Sequence, residues 1–270
     1  MSLLICPVCR RSLAREEKTY ACPQGHSFDI ARQGYVNLLR SNQSSARRHG
    51  DDKPMVLARQ AFLERGYYLP LREALCRAAE QYAPAHGALL DAGCGEGWYT
   101  AAVRAARPDA PACGVDISKD ALIQAAKRRA DLELAVASVS ALPVADGSCG
   151  AVLSVFAPDA PQEFRRVLAP GGVLLRVLPL EEHLLDLKAA VYDTPYPNPP
   201  AEYAPAGFRL LERIDLRSRI TLEDPADIQR LFLMTPYYYK TGRRDQAKLA
   251  ALTRLETRIA FGLFILAKEP

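Results

Sequence analysis

The sequence predicts an α/β chain: a doubly wound, Rossmann-like sheet with a small metal-binding domain at its N-terminus. Three observations predict it. From residue 87 onward, short apolar runs alternate with helical patterns, the signature of a parallel sheet with helices on both faces. A glycine-rich turn, "LLDAGCGEGWYT", falls between the first apolar run and the first helical pattern. Far upstream, "CPVCRRSLAREEKTYACPQGH", residues 6–26, holds three cysteines and a histidine at tight spacing.

The N-terminal cluster comes first along the chain. Cys6 and Cys9 form a C-x-x-C pair, and Cys22 and His26 a C-x-x-x-H pair. Two short-spaced pairs joined by a hairpin wrap a tetrahedral Zn²⁺. Pro7, Pro23 and Gly25 favour the tight turns that aim both ligands of a pair inward. Some 35 residues bury too little surface to fold alone, whereas a structural zinc supplies roughly 10–16 kcal/mol in small finger peptides. Four protein ligands leave no open position, so the zinc is structural rather than catalytic. On this reading, losing the metal disorders residues 1–35 and leaves the large domain folded. The other cysteines, Cys76, Cys94, Cys113 and Cys149, are scattered singly and read as small buried hydrophobes.

Charge is unevenly spread. Residues 1–60 carry 10 Lys/Arg and 5 Asp/Glu, a net of +5, while the remaining 210 carry 25 and 26, a net of −1. A solvated face explains this, as does an anionic partner docking at the N-terminal end. The chain shows no secretory h-region and no apolar run of bilayer length, so a cytoplasmic location is expected and no membrane partner.

The expected domains are 1–38, a zinc-binding module; 39–86, a linker with helices; and 87–270, the large α/β domain. "RSNQSSARRHGDDKP", residues 40–54, is polar and reads as a loop or flap that includes Arg47 and Arg48. Beyond it, Met55, Ala58, Phe62 and Leu63 share one helical face, then Leu71, Leu75, Ala78 and Ala79 share another after a break at "RGYYLP". In the large domain, strands are expected at 88–93, 112–117, 132–137, 150–156 and 171–178. Helices are expected at 97–106, 119–129, 161–168 and 181–192. Two long C-terminal strands, "FRLLERIDLRSRITL" and "RIAFGLFILAKE", flank a helix, "PADIQRLFLM".

Asp91, Gly93, Gly95 and Gly97 spell D-x-G-x-G-x-G after a strand and before a helix. Glycines allow the sharp turn and the close approach of a ligand. A dinucleotide site would offer its helix N-terminus to a pyrophosphate, but Glu96 sits there with Asp91 nearby. Two carboxylates repel a diphosphate and suit a ligand bearing an ammonium and a sulfonium. S-adenosylmethionine has both and NAD neither arrangement. Asp116, at the end of the next strand in "CGVDIS", is placed to accept hydrogen bonds from ribose hydroxyls. "ASVSALPVADGSCGAVLSVFAP" resembles the stretch after the third strand of class I methyltransferases. Members often carry an aspartate facing the adenine where this chain has Ser138.

The chain as a whole resembles the 23S ribosomal RNA (guanine-N1)-methyltransferases. The likeness runs through "CPQGHSFDIARQGYVNLL", "GDDKPMVLARQAFLERGYY", "VDISKDA", "EFRRVLAPGG", "HLLDLKAAVY" and "LFLMTP". It implies zinc at Cys6, Cys9, Cys22 and His26, and S-adenosylmethionine contacts from Gly95, Glu96, Tyr68 and His183. It implies a guanine in a hairpin of 23S ribosomal RNA as substrate, and the N-terminal module as the RNA-recognising end. Homodimer formation stays open. Asp159, in "VFAPDAP", is the nearest carboxylate to the expected target-base position and a weak catalytic candidate; the alternative is a helix cap. Rival readings are a small-molecule methyltransferase with a purely structural zinc module, and a catalytically silent RNA-binding protein. An NAD-dependent oxidoreductase is disfavoured by Glu96.

Overall fold

The computed structural model describes residues 2–40, 50–85, 87–129, 131–200 and 203–269. Arg47 and Arg48 of the expected flap lie outside them. The chain opens with three short antiparallel strands, β1 (Ala14–Arg15), β2 (Thr19–Ala21) and β3 (Ser27–Asp29), paired in that order. A fourth strand, β4 (Tyr35–Asn37), leaves this ribbon and pairs in parallel with a strand of the large sheet.

Two helices follow. Helix α1 (Lys53–Glu64) starts where the Asp52 side chain accepts from Met55 N at 3.1 Å, with proline in its first turn. Helix α2 (Leu69–Tyr82) follows after the break at Arg65–Tyr68. The apolar stripes read from the sequence are buried on both.

The large domain alternates as expected: β5 (Ala88–Ala92), α3 (Trp98–Ala106), β6 (Ala112–Asp116), α4 (Lys119–Arg128), β7 (Glu133–Val136), β8 (Cys149–Val155), α5 (Pro161–Val167), β9 (Leu168–Pro179) and α6 (Leu185–Val191). Then come β10 (Phe208–Leu222), α7 (Pro225–Leu233), α8 (Arg243–Ala250) and β11 (Leu255–Lys268). The eight-stranded order is β10-β11-β9-β8-β5-β6-β7-β4. Strands β4 to β9 run parallel, while β11 and β10 are antiparallel to their neighbours. The chain moves from β5 outward to β6 and β7, then returns to β8 on the other side. That reversal opens a crevice at the C-terminal ends of β5 and β8, where open α/β sheets hold ligands.

The two sheet faces are covered differently. On one, Leu89, Leu153, Val155, Leu175 and Phe261 pack with residues of α1–α4 and α6–α8. On the other, Leu90, Cys113, Val115, Ala135 and Val152 pack with Phe164 and Val167 of α5. The N-terminal module shares that second cover, through Leu4, Cys6, Leu13, Tyr20 and Cys22. Leu4 bridges Val144, Ile5 N donates to Pro143 O at 2.9 Å, and Tyr20 Oη donates to Glu133 of β7 at 3.2 Å. The module is therefore part of the large domain's core. The expected boundary at residue 38 separates nothing in packing terms, because β4 is already a strand of the large sheet. A sequence pattern cannot reveal this: three residues of β4 are too few to show a period.

Candidate active site and metal centre

The metal centre is built on two turns. Arg10 N donates to Cys6 O at 2.8 Å, and Gly25 N donates to Cys22 O at 2.9 Å. Each turn closes through a residue with positive φ, Gly25 at +81° and Arg10 at +58°. The donor atoms of Cys6, Cys9, Cys22 and His26 all lie within 4.8 Å of one another. Cys9 Sγ is 3.5 Å from Cys22 Sγ, and Cys22 Sγ is 3.3 Å from His26 Nδ1. With Zn–S bonds of about 2.3 Å, sulfur atoms on a tetrahedron sit about 3.8 Å apart. The four donors fit one zinc. Burial raises the Cys22 thiol, but hydrogen bonds from the His26 ring and from the Gln24 and His26 backbone outweigh it and lower it to about 6. A thiolate is what the metal needs.

The cofactor turn is built on β5. Gly93, Gly95 and Gly97 have φ of +95°, +55° and +74°, which only glycine adopts freely. A Cβ on Gly93 would lie 2.5 Å from Ala157 Cβ, so the turn is pressed against the end of β8. Asp116, ending β6, accepts from Gly95 N and Ser118 N, each at 2.8 Å. Two of its four lone-pair positions stay available for ribose hydroxyls. Burial raises its carboxyl, and the two N–H donors oppose that.

Among the described residues, three buried polar atoms around this turn have no partner: Asp91 Oδ1, Tyr68 Oη and Tyr99 Oη. Buried polar groups are normally satisfied, and each exception asks for an explanation, a bound ligand among them. Asp91 Oδ2 is taken by the Thr100 hydroxyl at 2.5 Å. Burial pushes the Asp91 carboxyl up to about 7, against the pull of Thr100 and with the charges of Asp116 and Glu96 adding. An ammonium at Oδ1 would relieve it. The phenols are donors and suit a carboxylate. Glycine turn, ribose acceptor and orphaned atoms thus match the amino-acid and nucleoside ends of S-adenosylmethionine. Tyr99 was missed in the sequence because it reads as the apolar face of α3.

Glu96 is 3% exposed but is no bare carboxylate. Arg59 of α1 donates to it at 2.7 Å and also pairs with Asp51. The charge argument against a diphosphate therefore rests on Asp91. Arg59 had no signal in the sequence beyond being a polar position on a helix.

Tyr68 ends the α1–α2 break with its ring 4.8 Å from Phe261 and 6.2 Å from His183. His183 is buried; its Nδ1 accepts from Ala260 N at 3.2 Å, so the ring proton sits on Nε2. Burial, then the Lys188 charge, lowers it to about 3 and keeps it neutral. Ser138 lies two residues past the end of β7 and accepts from Ser140 N at 3.2 Å. Asp159 pairs with Arg176 at 2.9 Å. It is no helix cap: the N-cap of α5 is Ala160, without a side-chain bond.

Similarity to known proteins follows the same division. A zinc-ribbon family described as "RlmA, N-terminal" matches residues 4–47, and a methyltransferase domain family matches 89–172. The chain is 42% identical over 191 residues to the 23S rRNA (guanine(748)-N(1))-methyltransferase of Streptomyces fradiae, covering 70% of this chain and 67% of that protein. It is 35% identical over 248 residues to a Bacillus subtilis (strain 168) protein provisionally given the 23S rRNA (guanine-N(1)-)-methyltransferase name, covering 87% and 86%. The solved YcgJ protein of Bacillus subtilis shares the fold at TM-score 0.51 and 14% identity, over 74% of this chain and 98% of that one. No helix among the described residues is long and apolar enough to cross a membrane. A zinc ribbon packed beneath an S-adenosylmethionine-dependent methyltransferase sheet, with relatives of this identity along most of its length, places the chain in the 23S rRNA (guanine-N1)-methyltransferase family.

Proposed function

We propose that the protein transfers a methyl group from S-adenosylmethionine to N1 of a guanine in a hairpin loop of 23S ribosomal RNA. The observation that carries this is the joining of the zinc ribbon to the catalytic sheet. The module packs on β7 and adds β4 beside it, so RNA gripped there is held rigidly relative to the cofactor turn. Residues 1–38 recognise RNA, 39–86 connect and cover, and 87–270 hold the donor.

When bound, S-adenosylmethionine supplies an electrophilic methyl group on a sulfonium. Asp91 would hold its ammonium, Tyr68 and Tyr99 its carboxylate, and Asp116 its ribose. The Gly93–Gly97 turn would let it approach the backbone, Ser138 would face its adenine end, and Glu96 with its Arg59 partner fixes the turn. His183, neutral, packs the floor beside Tyr68. Alignment of nucleophile and methyl, with water excluded, is the protein's main contribution. The guanine leaves its stack to reach the crevice. Its N1 proton goes to a nearby acceptor, with Asp159 the candidate.

The test is methyl transfer from labelled S-adenosylmethionine to a 23S rRNA fragment, with the product mapped by mass spectrometry. Methylation of guanine N1 at one loop position is expected. Transfer to small acceptors with no RNA binding would overturn the reading in favour of a small-molecule enzyme. Absence of cofactor binding would leave a silent RNA-binding protein.

A further inference from the structure

Strand β8 is buried at every one of its seven positions. The next residue, Phe156, breaks that pattern twice. The residue is 42% exposed, and its φ is +54°. A bulky residue in the left-handed region is strained, and such strain persists only where surrounding structure enforces it. The enforcement is visible. Phe156 N still donates to Val177 O of β9 at 3.2 Å, while the next residue, Ala157, abuts Gly93 of the cofactor turn. The backbone is pinned on both sides, and the ring is turned outward at the mouth of the crevice.

The ring does not stand alone. Its centroid is 5.5 Å from that of Phe261, whose ring lies 4.8 Å from both Tyr68 and His183. A run of aromatic faces therefore leads from the wall of the cofactor site to one exposed ring.

We propose that Phe156 is the platform on which the target guanine stacks. This rests on the reading of the protein as a guanine-N1 methyltransferase. Stacking holds a base by its faces and leaves its edge free. N1 lies on that edge, so a base lying on Phe156 can present N1 in its own plane toward the donor methyl. Every base has a π-face, so this contact positions and does not select. Selection of guanine falls to hydrogen bonds at its edge.

The experiment uses full-length Phe156→Ala, Phe156→Gly and Phe156→Trp, assayed for transfer to the 23S rRNA fragment. Calorimetry of S-adenosylmethionine and thermal melting are run beside it. The alanine and glycine variants are expected to lose about 10- to 100-fold in kcat/KM for RNA, the scale of one base–aromatic stack. The tryptophan variant is expected to stay within about threefold, since a larger ring stacks as well. Cofactor affinity should hold in all three. The glycine variant should melt at or above the alanine variant, because glycine accepts this φ without strain and alanine does not. Full transfer by the glycine variant in an assay where wild type is active overturns the platform alone. So does loss of transfer that tracks a lowered melting temperature, which would make the ring a packing element. A wild-type protein that methylates no RNA overturns the functional reading and the platform with it.

Discussion

The guanidinium of Arg59 donates through Nε to the Glu96 carboxylate at 2.7 Å, joining helix α1 to the cofactor turn. Its other edge pairs with Asp51, whose backbone carbonyl accepts from the Ser118 hydroxyl at 2.7 Å. A Cβ on Gly95 would lie 3.1 Å from Arg59 Nη2, so the glycine is what lets the guanidinium lie along the turn. One side chain thus ties together the segment entering α1, the glycine turn and the loop after β6.

Arg59→Ala should leave Glu96 buried without its cation. Breaking a fully buried pair costs about 3–5 kcal/mol. The Arg59 side chain is 22% exposed, so a loss of about 2–3 kcal/mol is expected here. Urea unfolding measures it. Adding Glu96→Gln should recover most of that loss, and a double variant as unstable as the single one would contradict the pairing argument.

Asp91 gives a pH dependence with a definite sign. Its folded carboxyl is raised to about 7, above the unfolded value of 3.8. Protonation therefore favours the folded apo protein. That stabilisation is complete below about pH 4 and is lost as pH rises through about 7. The melting temperature of the apo protein relative to Asp91→Asn should fall across this window. With Asp91 in the role proposed for it, cofactor binding uses the carboxylate, so affinity should rise up to about pH 7 and then level off. Asp91→Asn should bind weakly with a flat profile, and calorimetry at several pH values checks both.

Zinc removal should destabilise more than the ribbon. Cys6 and Cys22 share one core cluster with Leu142, Val144 and Val115. Cys22→Ser, or chelation of the wild type, should lower the melting temperature of the single transition that includes the large sheet. An unchanged transition for residues 87–270 would restore the expectation of an independent module.

Asp116→Ala should weaken S-adenosylmethionine binding by about 1.5–3 kcal/mol, the scale of a hydrogen bond to a charged group. It also frees Gly95 N and Ser118 N, so Asp116→Asn separates the two effects. The asparagine retains a carbonyl for one of the two N–H donors, and its intermediate affinity in calorimetry is the expected result.

The alternation of the large domain was legible because each element is long enough to show its period. Strand β8 was expected at 150–156 and spans Cys149–Val155; helix α4 was expected at 119–129 and spans Lys119–Arg128. The zinc ligands were legible because chelation demands residue types at fixed short spacings. Helix α8 was not anticipated: among its eight residues only Leu249 is buried, so it carries no apolar stripe to read. Strand β4, with three residues, was equally silent.

By itself the sequence determined which groups are available: a tetrahedral donor set, a glycine turn with Asp91 and Asp116, and the order of strands and helices. Those follow from local spacing, and local spacing is written along the chain. Only the tertiary structure decided that Glu96 answers to Arg59, that Asp159 serves Arg176 rather than a helix end, and that Phe156 faces outward under strain. It also decided that the zinc ribbon forms part of the sheet's second cover. Each of these depends on which distant surfaces meet when apolar faces are buried, and a one-dimensional pattern does not specify that pairing.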